Sequence, residues 1–170
     1  MFSKLLEQNN HNGLASTWKF YENDFHGTIP LPSIMDGLLS FFTWYVIEEV
    51  YKFNDPETPT EELVKIIKLR EQKLLNHFGY PVPPFDEALL TMSGYMFLEM
   101  GQVQKSLTFF QLNIEYYPLS ANAYDSIADF YEAQNDYAKA LKNVSKAFEI
   151  SGDIYHKKRM EDFESKTNNK

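Results

Sequence analysis

The sequence contains no cysteine, which excludes disulfides, thiolate zinc sites, iron–sulfur clusters and cysteine nucleophiles. Arginine is nearly as scarce: Arg70 and Arg159 are the only two. Sixteen basic residues stand against 24 acidic ones, a formal net charge of −8. Nucleic acid is therefore not an expected partner, because phosphate contacts need clustered Lys and Arg. Long apolar runs are missing too. The longest, Gly37–Ile47, is interrupted by Ser40 and Thr43 and falls short of the roughly 20 residues that span a bilayer. The first residues, Met1–Glu7, lack the sustained apolar stretch of a signal peptide. No glycine-rich phosphate loop occurs. His11, His77 and His156 are scattered without metal-ligand spacing, so neither a metal nor a cofactor is expected.

What the chain does have is apolar and aromatic mass. Its 170 residues are 44% hydrophobic and 16% aromatic, enough to bury a sizeable core. From Thr58 onward the pattern is helical. Thr58-Pro-Thr-Glu61 has the form of a capping box, with Thr58 as N-cap and Glu61 reaching back. Leu63, Ile66, Ile67, Arg70, Leu74 and Phe78 then step along one side, and Gly79 is placed to end the helix in the left-handed conformation.

A repeat emerges when the chain is slid against itself until Leu90 falls on Tyr124, a period of roughly 34 residues. At that setting Gly94 falls on Ala128, Phe97 on Tyr131, Gly101 on Asn135, Leu107 on Leu141 and Phe110 on Val144. Large and small residues alternate where two antiparallel helices must approach closely, and Gly101-Gln and Asn135-Asp mark the turn between them. The period and breakpoint resemble the tetratricopeptide repeat over Glu87–Ser120 and Ala121–Ile154, with Ser106 and Asn113 departing from the usual Ala. The resemblance implies right-handed α-solenoid packing of helical hairpins, with the helix 59–78 covering one end. A last helix near 154–164 would cap the other, with Ile154, Tyr155, Met160 and Phe163 inward. Its concave groove would be acidic: Asp125, Asp129 and Glu132 lie at i, i+4 and i+7, joined by Glu99. Such a groove repels a peptide carboxylate and favours a basic segment as ligand.

Residues 1–55 read differently. In Thr17–Glu22, Trp18, Phe20 and Glu22 alternate with Thr17, Lys19 and Tyr21, as in a strand. A loop containing His26-Gly27 and Pro-Leu-Pro follows. After it Ile34, Leu38, Phe41, Phe42 and Tyr45 recur at helical spacing behind a first turn that accepts Pro32.

The order strand, Asn-Asp-Phe-His-Gly-Thr loop, and helix opening with Asp36-Gly37-Leu38 resembles the C-terminal end of α/β-hydrolase esterases, the group that includes esterase D and the siderophore esterases. Some bacterial members of that group continue into tetratricopeptide repeats. The resemblance implies that His26 is the catalytic-triad histidine. A serine hydroxyl is a poor nucleophile until an imidazole takes its proton. In this fold the serine and the acid precede the histidine in the chain. No Gly-x-Ser-x-Gly occurs in the sequence, so both are expected upstream, in a hydrolase body, and the chain alone is expected to be inactive.

The expected fold is thus mainly α: tetratricopeptide-type hairpins behind a strand–loop–helix remnant of an α/β-hydrolase. The expected segments are 1–55 (remnant), 56–84 (linker helix and Pro-rich connector), 85–154 (two repeats) and 155–170 (capping helix and frayed tail). Without its sheet, the remnant is expected either to fold back on the helical half or to form a homodimer through residues 1–50. The expected function is the C-terminal region of a serine esterase, or alternatively a free-standing repeat adaptor. Any export signal would lie upstream, so a soluble protein of either the cytoplasm or the periplasm fits.

Overall fold

The computed structural model describes residues 5, 18–25, 27–45, 47 and 49–168. The chain divides into two units, Met1–Glu48 and Glu49–Lys170. It is mainly helical, with no strand among the described residues.

In the first unit, helix α1 spans Pro30–Phe41 and is followed by a 3₁₀ turn, Thr43–Tyr45. Pro30 takes the first helical position, where a missing N–H costs nothing because that donor has no partner within the helix. The strand expected over 17–22 is not formed: Trp18–Tyr21 have no regular secondary structure, and Thr17 lies outside the described residues. An isolated strand has no neighbour to take its backbone hydrogen bonds. The expected alternation of side chains is nonetheless visible, because Lys19 and Tyr21 both reach Asp36, each at 2.6 Å.

In the second unit, a 3₁₀ segment Val50–Asn54 leads into α2, Thr60–Phe78. The capping box does not form. Pro59 is the N-cap without a side-chain bond, and the Thr58 hydroxyl donates instead to Asp55 Oδ2 at 2.8 Å. Gly79 ends α2 with φ +75°, its N–H on the Leu75 carbonyl. Of the stripe read from the sequence, Leu63, Ile66, Ile67, Arg70 and Leu74 are buried, while Phe78 at the last position is exposed. Arg70 donates from Nε to the Pro84 carbonyl at 2.6 Å, fixing the Pro-rich connector against the helix.

Two hairpins follow, the second repeating the first: α3 (Glu87–Glu99) with α4 (Val103–Tyr116), then α5 (Ala121–Ala133) with α6 (Tyr137–Ser151). Their turns repeat bond for bond. Gly101 and Asn135 both have positive φ, +72° and +58°. The next amide in each reaches back to the preceding helix, Gln102 to Phe97 at 2.8 Å and Asp136 to Tyr131 at 2.9 Å. Side-chain caps from Asp86, Ser120 and Asp136 start α3, α5 and α6, each satisfying an amide that the helix leaves without a partner. The two polar departures from the repeat are absorbed by α3: Ser106 donates to the Gly94 carbonyl at 2.8 Å and Asn113 to Thr91 at 2.9 Å.

Helix α7 (Ile154–Asn168) starts within one residue of the place where a third repeat would begin. Met160 and Phe163 pack inward as expected, against Ala128, Ala140 and Val144. Ile154 and Tyr155 do not and stay exposed. At 100° per residue, His156, Met160 and Phe163 share one side and Ile154 lies opposite.

The core of the second unit is an aromatic chain. Phe53 packs on Phe85 and Phe109 (ring centroids 5.1 and 6.0 Å), and Phe109 on Phe97 (5.3 Å). Phe110 then meets Tyr95 and Phe130 (5.1 and 6.1 Å). Phe53 is only 1% exposed, which explains why the division between units falls ahead of it and not at 55. Residues 55–58, polar in sequence, are likewise held. Lys105, itself buried beneath Phe97, donates to the Pro56 and Thr58 carbonyls at 2.8 and 2.9 Å. No helix among the described residues is long and apolar enough to cross a membrane.

Candidate functional site

Of the residues singled out in the sequence, Asp125, Asp129 and Glu132 are brought together on α5. Their partner is internal. Arg159 of α7 reaches all three, at 2.6, 2.5 and 3.3 Å, and Lys166 adds a 2.7 Å ion pair to Glu132. Tyr95 on α3 donates to Asp129 Oδ2 at 2.6 Å. The bonds Tyr95–Asp129, Asp125–Arg159 and Glu132–Lys166 each join a residue to the one 34 positions on. They form a polar ladder across the alternate helices α3, α5 and α7. Glu99 stays outside it, exposed at the end of α3.

The electrostatics follow from half-burial. Desolvation pushes the Asp125 carboxyl above its usual range, and Arg159 and His156 offset that only in part. Burial opposes the charge on Arg159, but Asp129 and Asp125 outweigh it and the guanidinium holds its proton more tightly. Desolvation, and then the bond to Asp129, raise Tyr95. Arg159 and Lys166 together bring two positive charges to the three carboxylates, so their negative charge is largely but not fully compensated from within the chain.

A serine, a histidine and an aspartate also meet here. Ser151 Oγ lies 2.8 Å from His156 Nδ1, and His156 Nε2 is 4.0 Å from Asp125. The arrangement closes the turn between α6 and α7 and is not built as a relay. Ser151 Oγ accepts the Asp153 amide at 3.0 Å, which withdraws the electron density a nucleophile needs, and Asp125 is committed to Arg159.

His26 lies outside the described residues. The described residues on either side of it bond to one another. The Thr28 hydroxyl donates to Asp24 Oδ1 at 2.9 Å, and the Thr28 and Ile29 amides both return to the Phe25 carbonyl, at 2.8 and 3.1 Å. After the loop comes a cleft of about 490 Å³ between Trp18, Lys19 and Tyr21 on one wall and Ser33, Asp36, Gly37 and Ser40 of α1 on the other. Lys19, then Tyr21, hold Asp36 below the usual carboxylate range, while the bond to Asp36 pushes Tyr21 up to about 12. No group of three or more metal-ligating side chains is placed to hold an ion among the described residues.

The α1 wall of that cleft is the more polar side of the helix, with Leu39 at its edge. Its opposite side carries Leu31, Ile34, Met35, Leu38 and Phe41, continued by Phe42 at the C-cap, all exposed, and α1 buries no residue at all. A surface helix ordinarily turns its apolar stripe inward; here the chain's own segment covers the polar side. Sequence reading found the stripe but missed this orientation. It also missed Arg159, whose only signal was its separation of 34 positions from Asp125.

What these features define is a mainly helical protein with two successive helical hairpins, joined by bonds between residues 34 positions apart. No protein-family model matches the chain, and no curated protein sequence is significantly similar to it.

Proposed function

We propose that this chain is the C-terminal region of a serine ester hydrolase, with residues 1–48 as the closing element of the hydrolase body and the tetratricopeptide-like unit 49–170 as an attached protein-interaction module. The observation that carries the reading is the inverted amphipathicity of α1. A helix that, with its C-cap Phe42, presents six large apolar side chains away from its own unit has the form of an element made to close on a sheet. His26, four residues ahead of α1 in the sequence, is the triad base in this reading. A serine and a carboxylate from the body would complete the relay. The chain's own contribution is then to take the serine proton and return it to the leaving alkoxide.

The test is turnover of p-nitrophenyl acetate by the polypeptide expressed with any in-frame coding sequence upstream of Met1. That upstream sequence must carry Gly-x-Ser-x-Gly and then an acid. His26→Ala in the long form should lower kcat by about a thousandfold or more, and the 170-residue chain should show no turnover above its own His26→Ala control. An upstream region without the serine motif sinks the proposal.

A second reading, a free-standing adaptor, draws on the self-contained core of 49–170, which runs from Phe53 to Phe163. In either reading the α5 carboxylates favour a basic segment as ligand, and such a ligand competes with Arg159 for them.

A further inference from the structure

We infer that two copies of this chain pair through the apolar face of α1. The inference concerns the 170-residue chain and does not rest on the hydrolase reading. Leu31, Ile34, Met35, Leu38, Phe41 and Phe42 fall within an arc of roughly 120° at 100° per residue. Leu31 is 72% and Phe41 79% exposed, and the other four are about half exposed. Together they present on the order of 700 Å² of apolar surface. Monomeric proteins rarely leave that much contiguous apolar area open, and about 800 Å² per partner is what a stable interface of standard size uses.

Charge selects the occupant. Each copy carries a net −8, so most of one surface repels most of another. α1 is the exception: its single charged residue, Asp36, lies on the far side and is neutralised by Lys19. The stripe therefore offers a second copy the approach that is least opposed electrostatically. A patch matched to itself closes by a two-fold axis. Crossing the helices antiparallel midway between Met35 and Leu38 sets Leu31 of one copy against Phe41 and Phe42 of the other, and Met35 against Leu38. It also pairs their helix dipoles head to tail.

The test is the oligomeric state of the full chain by light scattering and sedimentation, across a dilution series and in low and high salt. The chain should run as a dimer of about 40 kDa, twice 19.9 kDa. Its dissociation constant should fall or hold as salt screens the like charges. Leu38→Asp should raise that constant by about a hundredfold or more, since the change enters the interface twice. Leu38→Met should leave the dimer in place. Far-UV circular dichroism of the Asp variant should match the parent, because Glu49–Lys170 forms a separate unit. As the chain has no cysteine, Leu38→Cys gives one thiol per copy and should cross-link to itself on oxidation. A monomer at tens of micromolar overturns the inference, and so does a dimer that survives Leu38→Asp or is dissolved by salt.

Discussion

Gly94→Ala should destabilise the helical unit, although alanine is the better helix former. A Cβ built at Gly94 would lie 2.7, 2.8 and 2.8 Å from Cε1, Cδ1 and Cζ of Phe110, well inside van der Waals contact. The ring has nowhere to go: Phe110 is fully buried, with Tyr95 at 5.1 Å and Phe130 at 6.1 Å on its other sides. Helix propensity favours Ala by about 1 kcal/mol. Overpacking a closed core costs about 1–3 kcal/mol, and three ring atoms in conflict put this site at the upper end. The net loss is about 2 kcal/mol, or roughly 5–10 °C in Tm for a unit of this size. The second repeat supplies the control, since the corresponding residues there are Ala128 and Val144. Phe110→Val alone should cost about 2–3 kcal/mol. The double variant should cost no more than that, a coupling of about 2 kcal/mol in a double-mutant cycle. Urea unfolding followed by far-UV circular dichroism measures all four corners. If Gly94→Ala stabilises, or if the two changes add, close approach is not the reason for glycine here.

Phe53→Ala should cost about 3–4 kcal/mol, because the ring is buried among Phe85 and Phe109. A chain beginning at Glu49 should melt cooperatively where one beginning at Pro56 does not, as read by calorimetry. Arg159→Met leaves Asp125, Asp129 and Glu132 to repel one another and should cost about 2–4 kcal/mol near neutral pH. Asp125 already has a raised pKa in the fold, so its protonated form favours folding. The stability it contributes is full below its unfolded value of 3.8 and is lost as pH rises through the higher folded value. Removing Arg159 raises that folded value further. The penalty should therefore shrink on acidification to about pH 4.5, and an equal penalty at both pH values would show that the carboxylates are not its source.

Local signals were the legible ones. Gly79 announces a helix end because only glycine takes φ +75° without strain. The pairing of Gly101 with Asn135 was readable because the same turn needs a positive φ twice. The capping box misled for an equally local reason. Asp55 is three residues ahead of Thr58 and captures its hydroxyl, so the hydroxyl never reaches the helix amide. The strand over 17–22 had the right alternation, but a strand exists only with a partner, and no periodicity supplies one.

The acidic stripe of α5 shows the remaining difficulty. Three carboxylates at i, i+4 and i+7 are visible in any helical reading, and alone they imply a cationic partner from outside. One residue changes that implication: Arg159, 34 positions beyond Asp125, arrives on α7 at the same height. A repeat places residue i beside residue i+34 on successive first helices, so charge in one copy has to be read against the next copy as well as within its own helix. By that rule Tyr95–Asp129, Asp125–Arg159 and Glu132–Lys166 were all predictable pairs. Thr91, the position equivalent to Asp125 one repeat earlier, carries no charge, so the ion ladder is confined to α5 and α7. A basic ligand therefore has to outcompete the last helix, and Arg159→Met should bind such a ligand more tightly than the parent despite being less stable. Titration with a short polylysine peptide, followed by fluorescence anisotropy, measures the difference, and weaker binding by the variant would show that Arg159 does not occupy the ligand's place.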